Sequence, residues 1–85
     1  MTKYRRDQLI QDMNDGFDSL DAVELSIEIE DEILSHDGID ENVADVLRHA
    51  KARSEDEFSG FMADMNPKAC RIIEAWNKEQ TSARS

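Results

Sequence analysis

Between Asp7 and Asp45 the chain has no lysine and no arginine, although it places fourteen aspartates or glutamates there. A surface of one sign repels itself, and folding alone does not require it, so the missing counter-charge points to a cationic partner. Other scarcities exclude more. The single cysteine, Cys70, rules out an internal disulfide. It falls in an apolar helical pattern, where it acts as a small buried hydrophobe, and this fits a reducing, cytoplasmic setting. No apolar run approaches the roughly 20 residues that a bilayer-spanning helix needs, so no membrane association is expected. The opening Met1-Thr2-Lys3-Tyr4-Arg5-Arg6 is not followed by the apolar stretch of a secretory signal. Gly16, Gly38 and Gly60 stand too far apart to build a phosphate-cradling loop. His36 and His49 lack a cysteine or a second histidine at metal-ligand spacing, and no serine stands in a nucleophile elbow. Asp37-Gly38-Ile39-Asp40-Glu41 lacks the alternating ligands and closing glutamate of a calcium loop. No enzymatic activity and no metal site are therefore expected.

What remains is a chain of 85 residues, 39% hydrophobic, with a net charge of -10. That length fits one domain with a modest core, residues 1–85, soft at about 1–3 and 78–85. Tyr4 to Met13 has the spacing of a short amphipathic helix through Leu9, Ile10 and Met13, ended by the turn chemistry of Asn14-Asp15-Gly16. Asp18 and Ser19 can each cap a second helix reaching to about Ser35, with Asp21 and Glu24 in its positive first turns. Val23 to Glu30 also alternates apolar and polar as a strand would. Helix is the better reading, because a cap precedes the segment, no turn signal interrupts it, and glutamate is a poor strand former.

Beyond the turn at His36-Asp37-Gly38, the residues Ile39, Val43, Val46, Leu47 and Ala50 predict a third helix, acidic at its start and basic at its end. Ser54-Glu55-Asp56-Glu57 has the form of a capping box before Phe58, Phe61, Met62 and Met65. Asn66-Pro67 then stops that helix and starts another through Ala69, Cys70, Ile72, Ile73 and Trp76, with a polar tail from Asn77. The expected fold is a compact all-α bundle of four or five short helices, with Met13, Met62, Met65, Phe58, Phe61 and Trp76 in its core.

The second helix carries two apolar stripes, Leu20, Val23, Ile27 and Leu34 on one side and Ala22, Leu25, Ile29 and Ile33 on the other. Acids run between them. Carboxylates three and four apart on a helix are neighbours, so Asp21, Glu24, Glu28, Asp31 and Glu32 form a ribbon, with Glu30, Asp40, Glu41 and Asp45 extending its field. Such a ribbon repels nucleic acid as a direct ligand. It suits a basic protein surface, including one built to hold phosphates. These features point to a non-enzymatic acidic binding protein, an inhibitor, adaptor or DNA mimic of the kind found among phage or mobile-element products. An alternative is a homo-oligomeric structural or assembly protein, with Ala22, Leu25, Ile29 and Ile33 as the subunit interface, or a homodimer seam along the helix after Pro67.

Residues Gly16 to Ile33, G-F-D-S-L-D-A-V-E-L-S-I-E-I-E-D-E-I, resemble the D-S-L-x-x-V-E-L segment of acyl carrier proteins and the acidic second helix that follows it. The likeness covers eighteen of the 85 residues. It implies that Ser19 is the attachment point of a 4′-phosphopantetheine arm, at a helix start where phosphate is favoured. Asp18 would then belong to the modification motif, and Asp21, Glu24 and Glu28 would be read by basic patches on partner enzymes. Leu20 and Val23 would help to cover the acyl chain.

Overall fold

The computed structural model describes residues 1–83, the side chains of Ser19 and of residues 81–83 excepted. Five helices follow one another with no strand among the described residues: α1 (Lys3–Asn14), α2 (Ser19–His36), α3 (Glu41–Arg53), α4 (Glu55–Met62) and α5 (Pro67–Ala83). Each begins at a side chain that accepts a hydrogen bond from an otherwise orphaned backbone N–H. The Thr2 hydroxyl accepts from Arg5 at 3.1 Å, and the Asp18 carboxylate from Leu20 and Asp21 at 2.9 and 3.0 Å. Asp40 accepts from Val43 at 2.7 Å, Ser54 from Glu57 at 3.2 Å and Asn66 from Lys68 at 2.8 Å. Helix α2 stops where Asp37 turns into the left-handed region at φ 53°, and the Gly38 N–H then donates back to the Ile33 carbonyl at 3.2 Å.

The bundle pairs α1 with α3, α3 with α4, and α2 with both α4 and α5. Its interior combines Leu9 and Met13 of α1, Leu25, Ile29 and Ile33 of α2, and Val43, Val46 and Leu47 of α3 with Phe58, Phe61, Met65 and Ile73. Phe58 and Phe61 meet edge to face, with centroids 5.3 Å apart. Met62, Trp76 and Cys70 are half-buried at the margin of this core. Cys70 is thus less enclosed than its pattern implied. Its thiol donates to the Met62 carbonyl at 3.2 Å, and burial, helped by Glu74 and Glu30, pushes its pKa up, away from a reactive thiolate.

Helix ends are tied by side chains from other helices. The Arg53 guanidinium donates to the Met13 carbonyl at 2.6 Å, and the buried Ser26 hydroxyl donates to the Phe61 carbonyl at 3.0 Å. Helix α5 runs six residues past Asn77, to Ala83, through Lys78, Glu79 and Gln80, which are good helix formers. At the start, the Met1 ammonium reaches Glu32 at 2.6 Å and Asp40 at 3.0 Å. No described helix is long and apolar enough to cross a membrane.

Candidate functional site

Helix α2 presents its two apolar stripes to opposite environments. Leu25 is 1% exposed and Ile29 and Ile33 are 0% exposed, whereas Leu20, Val23 and Ile27 are 67%, 53% and 56% exposed. This corrects the expected subunit interface. Leu25, Ile29 and Ile33 of that stripe are turned into the protein's own interior, because α4 and α5 pack against that side, while Ala22 is half-buried at its edge. The free stripe is the other one, without Leu34, which is half-buried.

The acidic residues divide as well. Glu28 takes the Arg5 guanidinium in a two-pronged contact, with Nε at 2.7 Å, and that hydrogen bond raises the Arg5 pKa despite partial burial. Glu32 and Asp40 share the Met1 ammonium, whose pKa is raised first by Glu32 and then by Asp40. Burial alone would push Asp40 up, but the Val43 N–H and the ammonium outweigh it and hold the carboxyl below its ordinary range. Asp45 lies 2.8 Å from both Arg6 and Arg48. Glu30 accepts the Asn66 N–H at 2.9 Å, in the turn before α5. Asp21, Glu24, Asp31 and Glu41 have carboxylates with no hydrogen bond or ion pair among the described residues. The bases that neutralise part of the ribbon come from outside the acid-only span, and Arg5 and Arg6 stand next to it in the sequence without any signal of which carboxylate they meet.

Glu32, His36 and Asp40 each offer one potential metal ligand, all within 4.8 Å of one another. The Met1 ammonium already supplies positive charge to the two carboxylates there. His49 bonds to Asn14 at 3.0 Å. Ser19 opens α2, as a modified serine in a carrier protein would, but its side chain lies outside the described residues. Leu20 and Val23, implied there as cover for an acyl chain, point largely into solvent.

A groove of about 680 Å³ lies between α2 and α4, and nothing in the sequence pattern announces it. Phe17, Ala22, Val23, Ile27 and Phe61 line it, and Asp18, Glu30, Glu57 and Asp64 stand along it. Val23 and Ile27 belong both to this groove and to the exposed stripe, so the two form one surface. Arg53 is the base near one end, 3.9 Å from Glu57 and with its guanidinium 5.5 Å from the centre of the Phe17 ring. A smaller groove between α3 and α5 holds Arg48 over the Trp76 ring at 5.9 Å, beside Lys51. No known protein family, curated protein or solved structure matches the chain.

Proposed function

We propose that this protein is a non-enzymatic acidic binding protein that takes a basic protein surface onto the outer face of α2. One observation carries the reading: Leu20, Val23 and Ile27, all more than half exposed, lie in line beside the carboxylates of Asp21, Glu24 and Asp31, which have no partner among the described residues. Scattered exposed apolar residues need no explanation, but a contiguous patch with a charged margin is the anatomy of an interaction site. The apolar side chains supply contact area, and the carboxylates steer a cationic partner and reject acidic ones. Glu41 adds to the field from the start of α3.

An adaptor or inhibitor is better supported than a DNA mimic. Mimicry of a phosphate backbone needs a long row of free carboxylates, and Glu28, Glu32, Asp40 and Asp45 are engaged with the protein's own cations. The test is capture of basic proteins from a lysate at low salt by the protein and by an Asp21→Asn/Glu24→Gln/Asp31→Asn variant. Glu24 and Asp31 are exposed and Asp21 is half-buried with no side-chain partner among the described residues, so each substitution is expected to change stability by about 0.5 kcal/mol or less and the fold is retained. Capture by the parent protein is expected to fall as salt rises, and the variant is expected to lose about tenfold in affinity for the same partner. Equal capture by both proteins refutes the site.

A further inference from the structure

We infer that the groove between α2 and α4 seats an amphipathic helix of a basic partner, with apolar side chains entering beside Val23, Ile27 and Phe61 and lysines or arginines meeting the carboxylates along both edges. The inference rests on the reading of α2 as the binding face and specifies the form of what binds there. The groove is a trough bounded by two helices, and its volume falls in the range of sites that enclose a ligand's apolar groups. Its lining is apolar where a partner would be buried. At Gly60 an added Cβ would meet nothing within 4 Å, so the wall there is bare backbone that a partner side chain can approach closely.

Charge decides the occupant. Asp18 and Glu30 stand on the α2 side, Glu57 and Asp64 on the α4 side, and of these Glu57 alone forms an ion pair among the described residues, with Arg53 at 3.9 Å. A helix with an apolar stripe between two rows of bases matches that arrangement, with anchors spaced i, i+3 or i+4, and i+7. Another copy of this chain does not. In a two-fold contact the same patch faces itself, which would set one acid-rimmed surface against another in a chain of net charge -10.

The experiment uses the full chain and three synthetic peptides of about 16 residues, long enough to form a helix on binding. One carries leucines at helical spacing with lysines elsewhere. Another has the same composition with the leucines scattered around the helix, and the third replaces lysine by glutamate. Calorimetric titration at low salt is expected to show binding of the first peptide, and NMR spectra of the complex to show amide shifts centred on Val23, Ile27, Gly60 and Phe61. The scattered peptide is expected to bind about tenfold more weakly, and the acidic one not at all. Gly60→Leu fills the groove from a position with open space and is expected to weaken the first peptide by a similar factor. Val23→Ala/Ile27→Ala, at exposed positions, gives the same reading if Gly60→Leu disturbs the fold.

Equal binding of both basic peptides, unaffected by Gly60→Leu but lost in the Asp21→Asn/Glu24→Gln/Asp31→Asn variant, overturns the helix-in-groove inference and leaves the broader reading standing. Failure of both basic peptides to bind overturns the inference, and the reading falls with it if lysate capture is also indifferent to the triple variant. A dimer in sedimentation that Gly60→Leu dissolves assigns the groove to another copy of the chain and overturns it too.

Discussion

Leu25, Ile29 and Ile33 on one flank of α2 and Leu20, Val23 and Ile27 on the other are near equals in hydrophobicity, yet the inner three are at most 1% exposed and the outer three at least 53% exposed. Hydrophobicity alone does not say which flank is the core. Neighbours decide it: α4 and α5 close over the inner set, whereas the outer set faces solvent between carboxylates and an open groove. The same division runs through the acids. Glu28 holds Arg5 and so fastens α2 to α1, while Glu24, one turn earlier, adds only to the field around that arginine. A flank filled by the protein itself and a flank left open to solvent therefore share one helix.

The largest expected contrast is between Ile29→Ala and Ile27→Ala. The former leaves a cavity in a closed core and is expected to cost about 2–5 kcal/mol, the latter to change stability by no more than about 0.5 kcal/mol, as read from urea unfolding midpoints. Comparable losses at the two positions would mean that the outer flank is packed in solution, and the contrast between the flanks would collapse. A smaller contrast sharpens the electrostatic half. Glu28→Gln breaks the two-pronged contact with Arg5 and is expected to cost up to about 1 kcal/mol, whereas Glu24→Gln removes an unpaired charge and is expected to be neutral or slightly stabilising. Added salt should narrow that difference.

The smallest effect is in the pH profile. The Asp40 carboxyl is held below its ordinary value of 3.8, so its contribution to stability is present above that value and is lost as pH falls through the lower, folded-state pKa. The Met1 ammonium is held above its ordinary 8.0, so its contribution is complete below 8.0 and is lost as pH rises through the higher, folded-state pKa. Asp40→Asn keeps an acceptor for the Val43 N–H but loses the charge that meets the ammonium. Thermal melts across pH should then show a lower plateau between these two values in the variant, with shallower acid and alkaline limbs, and the two proteins converging at the extremes of pH.

The helix boundaries were legible because capping is local chemistry. Asp18, Ser54 and Asn66-Pro67 mark helix starts whatever the rest of the chain does, and each acts at the position its sequence indicated. The far end of α5 was not legible, since a polar run of helix formers carries no stop signal. An acidic α2 with an exposed apolar flank was legible in the sequence, but which carboxylates meet cations and where a groove opens were not. Arg5 meets Glu28 across 23 positions and Arg6 meets Asp45 across 39, and the groove joins Phe17 and Ile27 to Phe61. Contacts of that range leave no periodic trace along the chain.

Composition, periodicity and caps determined that this protein is a bundle of short helices with an acidic second helix, because those properties depend on interactions between residues a few positions apart. Tertiary structure alone decided which apolar flank of α2 became interior, which carboxylates found cations and where a groove opened. Those outcomes depend on which helices lie side by side, and two flanks of near-equal hydrophobicity leave the choice to the packing of the whole.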